Sequence, residues 1–246
     1  MHARCRSKST KIQSKLIELD SQWDFLCVAF YSTSTKGKKR LSKEERKLIK
    51  LSSDSHQALI GILLGDGHIQ KRSSTGNSRF MFTQTAVGHE YYYYSVFKLF
   101  EPYCTANMES YLNTWVDKRN GKTYQSLSFA TMALPCFNVF RESFYLNGKK
   151  IVPTNIDELL TDISLAYWIM DDGSKQGKGL SIWVCAFSKE DIQRLTDTLF
   201  NKFGLKCSVH GIDNRQPRIY VWAESIGQLR TIVKPYMHHT MYYKVD

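Results

Sequence analysis

The hydrophobic pattern of the chain repeats once. A compact apolar helix ending in Asp-Gly is predicted over residues 59–67 and again over residues 165–173, 106 positions later. The segments after the two copies also match: an alternating run, an amphipathic helix and a second alternating run. These runs cover residues 79–85, 90–101 and 127–131 in the first copy, and residues 180–187, 189–203 and 218–222 in the second. The repeat unit is therefore predicted to be helix, strands, helix, strands, helix.

The amphipathic helix of the second copy has clear start and stop signals. Ser188 and Asp191 have the spacing of a capping box, and Gly204 is placed to end the helix. Its apolar positions form one stripe, so we expect the helix to pack on one face of a sheet. The stripe consists of Ile192, Leu195, Leu199 and Phe203.

The two runs predicted as strands in the second copy alternate between apolar and polar residues. One face should therefore enter the core, and the other, which carries arginine and aromatic residues, should be free for a partner. The predicted inward set is Leu180, Ile182, Val184, Ile219 and Val221, and the outward set is Ser181, Trp183, Cys185, Arg218, Tyr220 and Trp222.

Length and composition narrow the classes of protein. At 246 residues the chain can form one large domain or two of about 120 residues with a buried core. The longest uncharged apolar stretch is residues 58–65, far below the roughly 20 residues of a bilayer span, so we expect no membrane insertion. The six cysteines form no C-x-x-C pair, which indicates reduced thiols inside a cell.

The positive charge is concentrated near the N-terminus. The formal net charge is +11, and residues 1–50 hold 13 basic and 5 acidic residues, a net of +8. Residues 1–50 are therefore predicted to be a basic, flexible leader, with a short helix over residues 43–51. A nucleic-acid arm, a transit-type presequence, a remnant of an upstream fusion and a plain solvated linker all fit it. Acidic residues weaken the presequence reading: Glu18, Asp20 and Asp24.

The paired motif carries the candidate chemistry. A helix rich in Gly, Ala and Leu can approach another helix closely, and the final glycine of each motif can adopt the left-handed conformation that ends a helix. If the two motif helices cross at a pseudo-twofold axis, Asp66 and Asp172 emerge at the same end. Two negative helix ends and two carboxylates favour a cation, and an incomplete oxygen shell suits Mg²⁺ beside a phosphodiester.

At these residues the sequence resembles the LAGLIDADG homing endonucleases, over about residues 51–246. The motif at Leu165 to Gly173 is similar to those of single-chain members from fungal mitochondrial introns. The resemblance implies an α+β fold of two pseudo-symmetric αββαββα repeats, residues 51–153 and 154–246, whose antiparallel sheets form a saddle on DNA. In the first copy Leu64-Gly65 replaces the acid and small residue of the pattern, but the final Asp-Gly is intact.

The resemblance also implies site residues. The last acid of each motif, Asp66 and Asp172, would bind Mg²⁺, with Mn²⁺ as a substitute, and the adjacent Gly65 and Asp171 are included in the expected metal site. The family places a basic residue near each scissile phosphate at the end of each repeat. The matching residues are Lys150 and Lys244, whose ammonium groups could polarise the phosphate or position water.

Basic residues at predicted strand ends are candidates for phosphate and base contacts. Gln84 comes after the first motif on a strand and could either join the metal water network or read a base. The DNA-contact set is Lys71, Arg72, Arg79, Gln84, Lys118, Arg119, Lys122, Lys175, Lys178, Arg215 and Arg218.

Two functions are consistent with the sequence. One is a monomeric, metal-dependent, mitochondrial enzyme that makes a staggered double-strand break at a long asymmetric DNA target. The other is a non-catalytic intron maturase that holds RNA on the same saddle. A binder has no need of two charged motif ends, because paired carboxylates are unfavourable without a cation. The presence of both Asp66 and Asp172 favours the enzyme.

Overall fold

The computed structural model describes residues 41–105, 110–211 and 216–246. It begins with a short helix, α1 (Lys43–Leu48), within the range predicted from the sequence. Ser42 caps this helix: its Oγ accepts a hydrogen bond of 3.1 Å from the Glu45 amide, and the Glu45 carboxylate accepts one of 2.6 Å from the Ser42 amide.

The first repeat contains one motif helix, two hairpins and two further helices. Its elements are α2 (Ser53–Leu64), β1 (His68–Lys71), β2 (Ser78–Thr85), α3 (Ala86–Phe100), β3 (Tyr111–Val116), β4 (Thr123–Ala130) and α4 (Asn138–Phe144). A small antiparallel pair and one helical turn come next: β5 (Tyr145–Leu146), β6 (Lys149–Lys150) and α5 (Ile156–Leu159).

The second repeat has the same order of elements. They are α6 (Asp162–Asp172), β7 (Gly173–Gln176), β8 (Gly179–Trp183), α7 (Lys189–Phe203), β9 (Cys207–His210), β10 (Arg218–Val221) and α8 (Ile226–Val233). A 3₁₀ segment, His239–Lys244, lies beyond them. The first sheet has strand order β1-β2-β4-β3 and the second β7-β8-β10-β9, with every pair antiparallel. The predicted two-repeat α+β fold is confirmed.

The core lies between each sheet and its helices and continues through the motif helices. Both motif helices are apolar on most sides and largely buried, as expected for elements at the centre of a molecule. In helix α7 the predicted stripe is buried, Ser188 accepts a hydrogen bond from the Asp191 amide, and Gly204 has the left-handed φ of 64°. The inward strand residues Leu180 and Ile219 are fully buried.

The strand predicted over residues 180–187 is too long. Strand β8 ends at Trp183, because the chain turns there: the Val184 amide donates to the Pro217 carbonyl and the Phe187 amide to the Val184 carbonyl. Ser181, which was expected on the outer face, is only 1% exposed and hydrogen-bonded to the Gln176 side chain.

None of the helices in the three described ranges is both long and apolar enough to cross a bilayer. The four cysteines within those ranges, Cys104, Cys136, Cys185 and Cys207, are free thiols.

Candidate active site between the motif helices

Helices α2 and α6 approach each other backbone to backbone. Gly61 lies against the Ser164 carbonyl so closely that a Cβ atom there would overlap it. The Ser164 hydroxyl donates a hydrogen bond of 2.8 Å across the interface to the Gln57 carbonyl. At the other end of the helix pair, the Asp66 amide donates a hydrogen bond of 3.1 Å to the Asp171 carboxylate. The structure therefore brings Asp66 and the Asp171–Asp172 pair to one end of the crossed helices.

The glycine that ends each motif is required for a different reason than the sequence predicted. Gly173 has φ −75°, and neither it nor Gly67 has the left-handed conformation. A Cβ atom at Gly67 would lie 2.5 Å from Cγ2 of Ile62, and one at Gly173 would lie 2.6 Å from the Ile169 carbonyl oxygen. Glycine is needed because the chain passes too close to the preceding helical turn.

Burial and mutual repulsion both disfavour the charged forms of Asp171 and Asp172. Burial, followed by the negative charge of Asp66, raises the pKa of Asp172 to about 7, although Lys150 and Lys244 lower it. Burial and the charge of Asp66 also raise the pKa of Asp171 well above its ordinary value. The carboxyl ends of α2 and α6 add partial negative charge. A cation at this position would relieve both the repulsion and the helix-end charge.

Each predicted lysine lies at the end of its own repeat's motif helix. Lys150 Nζ donates a hydrogen bond of 2.7 Å to the Gly65 carbonyl at the end of α2. Lys244 Nζ donates to the carbonyls of Ile169, Met170 and Asp171 at the end of α6. Burial lowers the pKa of both lysines, while the three aspartates raise it. Asp66, Asp172 and the two lysines are thus gathered into one site, although they are far apart in sequence.

The expected metal residues divide into two groups. Asp66 is exposed and Asp172 is partly exposed, whereas both oxygens of Asp171 already accept hydrogen bonds, one from the Asp66 amide and one from the Tyr92 hydroxyl on α3. The Gly65 carbonyl, also expected near the metal, accepts the Lys150 ammonium instead. Within the described ranges no group of three or more His, Cys, Asp and Glu side chains could hold a metal ion. Two carboxylates fit Mg²⁺ that takes its other ligands from water and phosphate.

Gln84 belongs to this site and not to the outer face of the sheet. Gln84 is only 7% exposed and lies on the core side of β2. Its Nε2 donates a hydrogen bond of 2.9 Å to the Asp66 carboxylate. This position favours the contact with Asp66 over direct base reading, because alternation along β2 turns Gln84 inward.

A histidine missed by the sequence analysis continues this contact. His89 Nδ1 lies 3.3 Å from the Gln84 Oε1 and His89 Nε2 lies 3.4 Å from the Tyr243 hydroxyl. Since an amide oxygen only accepts, Nδ1 carries the proton. Burial and the charge of Lys244 lower the pKa of His89, which favours the neutral ring. The signal was weak, since His89 sits in the N-terminal part of α3, where the helix kinks at Val87 and Gly88.

The second repeat lacks the Gln84 contact. His68 and Ser174 each directly follow the motif glycine of their repeat. His68 pairs with Met81 in the first sheet, and Ser174 pairs with Ser181 in the second. Gln84 lies three residues after Met81 and Val184 lies three residues after Ser181, so the two are equivalent positions. Val184 is buried and apolar. The two acids are therefore held differently.

The predicted DNA-contact residues are spread over the outer faces and turns of the two sheets. Arg79 bonds Gln70 at 2.9 Å, and Arg218 lies 5.6 Å from the centre of the Trp183 ring. Arg119 is paired with Asp117 at 2.9 Å. The others lie at strand ends or in turns, namely Lys71, Arg72, Lys118, Lys122, Lys175 and Lys178. Arg215 lies outside the described residues.

Aromatic residues lie among these charges, and two of them, Trp115 and Tyr124, were not predicted from the sequence to face a partner. Trp115 and Tyr124 face each other across β3 and β4, with ring centres 5.9 Å apart and an interplanar angle of 25°. Both remain partly exposed, as do Trp183 and Trp222 in the second repeat. Exposed aromatic rings next to basic turns are suited to contacts with nucleotides.

Crossed motif helices that end in acids, each followed by a four-stranded antiparallel sheet and a lysine, define a two-repeat protein of the LAGLIDADG class. The model of the LAGLIDADG DNA endonuclease family matches residues 56–229, and the chain belongs to this family.

Named relatives and one solved structure are similar to the chain. It is 38% identical over 196 residues to the cytochrome b mRNA maturase bI2 of Saccharomyces cerevisiae, a match that covers 76% of this chain and 46% of that protein. It is 36% identical over 146 residues to the intron-encoded endonuclease ai4 of Dictyostelium discoideum, covering 58% and 92%. The homing endonuclease I-WcaI bound to its DNA recognition sequence matches at 27% identity and a TM-score of 0.76, covering 86% and 96%.

Proposed function

We propose that this chain is a site-specific DNA endonuclease that cuts both strands of a long asymmetric target and leaves staggered ends. One observation carries the proposal: two motif carboxylates, Asp66 and Asp172, lie at one end of crossed helices, and each has its own repeat's lysine at the adjacent helix end. Two similar half-sites are what two antiparallel DNA strands require.

Each residue has a defined part in this proposal. Asp66 and Asp172 would hold divalent cations, with Mg²⁺ favoured and Mn²⁺ as a substitute. A bound Mg²⁺ would supply positive charge at the phosphate and lower the pKa of a water molecule. Lys150 and Lys244, whose ammonium groups lie at the ends of α2 and α6, would stabilise the negative charge that develops on the phosphate. Gln84 and His89 hold Asp66 in position.

The proposal includes the DNA surface and the organisation of the chain. Arg79, Arg218 and the basic turns would contact phosphates and base edges, because they lie on the outer faces of the sheets. Residues 51–153 and 154–246 would each serve one half of the target, and residues 1–50 would add a basic arm. We propose a monomer, since one chain carries both half-sites, and a mitochondrial location, since the chain is similar to a cytochrome b mRNA maturase.

The test uses DNA recovered by binding alone. Duplexes that bind the full chain in Ca²⁺ are selected from a random pool, and the selected duplex is then incubated in Ca²⁺, Mg²⁺, Mn²⁺ and EDTA. We expect binding in Ca²⁺ and cleavage in Mg²⁺ and Mn²⁺, because Ca²⁺ polarises its water ligands less. Asp66→Asn and Asp172→Asn should bind but nearly abolish double-strand cleavage. Specific binding without scission in any divalent cation would contradict the proposal.

RNA binding is the second candidate, and the 38% identity to a cytochrome b mRNA maturase favours it. The same chain could hold intron RNA on its sheets without using the acids. The two functions separate in Asp66→Asn and Asp172→Asn. If the chain assists splicing of its host intron, both variants should still bind and assist that RNA while cutting no DNA.

A further inference from the structure

Asp171 joins the two repeats by two hydrogen bonds. It comes directly before the motif acid Asp172, but its carboxylate points into the first repeat. One oxygen accepts a hydrogen bond of 3.1 Å from the Asp66 amide, and the other accepts one of 2.6 Å from the Tyr92 hydroxyl. Tyr92 itself is fully buried, on helix α3. Asp171 therefore connects the second motif helix to the backbone of the opposite acid and to the packing helix of the opposite repeat.

The space for Asp171 is created by Gly65. The two residues occupy the same position of their motifs, each directly before the motif acid. A Cβ atom on Gly65 would lie 2.5 Å from the Asp171 Cβ and 2.7 Å from its Oδ2. Only one of these equivalent positions can therefore carry a side chain. At this position the second motif helix has an acid and the first has a glycine. The carboxylate therefore reaches from the second repeat into the first.

A half-buried carboxylate close to two other acids is an unfavourable choice for packing alone. An apolar residue of similar size would fill the space with a smaller desolvation penalty. What the carboxylate adds is acceptance of a hydrogen bond from the Asp66 backbone. The Asp66 amide lies just beyond the last turn of α2 and would otherwise need another acceptor.

Resting on the endonuclease function proposed above, we infer that Asp171 is a positioning residue. It fixes the backbone of Asp66, and so the direction of the Asp66 carboxylate relative to Asp172, without itself contacting cation or DNA. Tyr92 completes the arrangement, because its hydroxyl holds the Asp171 carboxylate in the orientation that reaches Asp66. Residues that orient a ligand from outside the first coordination shell commonly matter by about 10- to 100-fold in activity.

The experiment compares Asp171→Asn with Asp171→Ala and Tyr92→Phe in the full chain. Asparagine keeps an oxygen for the Asp66 amide but loses the charge, whereas alanine loses both. If Asp171 positions Asp66, Asp171→Asn should cut within about tenfold of the wild type and Asp171→Ala about 100-fold more slowly, with DNA affinity in Ca²⁺ little changed. A cation ligand would instead be disabled by asparagine, as Asp172→Asn is expected to be.

Amide hydrogen exchange gives a readout that does not depend on cleavage. In EDTA, the Asp66 amide should exchange about tenfold faster or more in Asp171→Ala, and close to the wild-type rate in Asp171→Asn. Tyr92→Phe should give a smaller increase. Melting curves identify any variant that fails to fold, and Tyr92→Phe then replaces it, since it leaves the carboxylate in place.

The outcomes are separable. Equal loss of cleavage in Asp171→Asn and Asp172→Asn would overturn the inference and make Asp171 a ligand. Unchanged Asp66 exchange in a folded Asp171→Ala protein would also overturn it. If the wild-type chain cuts no selected duplex, the proposed endonuclease fails, while the exchange rates still decide whether Asp171 positions Asp66.

Discussion

The Gln84 side chain donates a hydrogen bond of 2.9 Å to the Asp66 carboxylate, and the equivalent position in the second repeat is the buried Val184. The pseudo-symmetric acids therefore have unequal surroundings. Asp66 is exposed and oriented by an amide, whereas Asp172 is more buried and has a raised pKa. Two half-sites with different support should cut their DNA strands at different rates.

We predict that Gln84→Ala makes the two nicking rates more unequal. Loss of the amide should slow the strand served by Asp66 by about tenfold and leave the other strand nearly unchanged. The measurement uses a duplex labelled at both 5′ ends, with each strand followed separately. Gln125→Ala, an exposed glutamine on β4, is the control. Equal slowing of both strands would show that Gln84 acts on the whole site instead.

The lysines should affect the rate more than the affinity. Lys150→Ala is predicted to slow cleavage by about 100-fold, the usual effect of removing one donor to a developing negative charge, with a much smaller change in the DNA dissociation constant. The neighbouring Lys149, which is exposed, gives the matched control Lys149→Ala. Single-turnover rates at saturating protein are compared with gel-shift affinities in Ca²⁺. Weaker binding at an unchanged rate would mean that Lys150 only attracts DNA.

Lys244 should in addition stabilise the fold. It is 5% exposed, and its ammonium donates to three carbonyls at the end of α6. Replacing it with methionine keeps the volume but leaves those carbonyls without a donor, which should lower the free energy of unfolding by about 2 kcal/mol. Lys150→Met is the comparison, because that lysine donates to one carbonyl. Denaturant unfolding in EDTA measures both; equal stabilities would contradict the capping role.

The sequence predicted the fold well where the signal was local. The apolar helices ending in Asp66 and Asp172 repeat with similar strands and helices after them, and the periodicity of α7 was complete. The edge strands β1 and β7 were not predicted from the sequence. Their sequences, His-Ile-Gln-Lys and Gly-Ser-Lys-Gln, are too short and polar to show a clear alternation. Val184 continues the alternation of β8 although the strand has ended.

The sequence indicated most of the residues that form the candidate site, but not the direction in which their side chains point. The repeated motif indicated Asp66 and Asp172, and the resemblance to the family indicated Lys150 and Lys244. Whether Gln84 pointed inward depended on the register of β2, and whether Asp171 faced a cation or the opposite helix depended on how closely α2 and α6 approach. Both are properties of tertiary packing, which one sequence does not contain.

Asp172 provides a prediction for the pH dependence of stability. Its pKa is about 7 in the fold, against about 3.9 in the unfolded chain, so between these values the folded state holds a proton that the unfolded state has released. The stability contributed by this group is fully present below about pH 4 and is lost as the pH rises through 7. Without divalent cation, Asp172→Asn should therefore melt higher than the wild type at pH 8.

The size of that difference is set by the shift in pKa. About three pH units correspond to an upper limit of about 4 kcal/mol, or several degrees in Tm, and the difference should largely disappear at about pH 4. Melting curves in EDTA at both pH values test this, with the exposed Glu142→Gln as control. A wild-type chain that is as stable as Asp172→Asn at pH 8 would show that burial and the charge of Asp66 do not disfavour the charged form of Asp172 in the fold.

The basic leader should contribute binding but no chemistry. Residues 1–40 carry nine basic and three acidic residues, and the chain beyond them begins its own capped helix at Ser42. Basic residues that contact only phosphates do not read sequence, so deleting residues 1–40, which lie outside the described residues, should weaken DNA binding and reduce the slope of log affinity against log salt. Cleavage at saturating protein should be unchanged, because Asp66, Asp172 and both lysines lie outside the deletion. Gel shifts from low to moderate salt and single-turnover cleavage measure the two effects. A deletion that abolished cleavage of fully bound DNA would place a functional element of the active site in the leader.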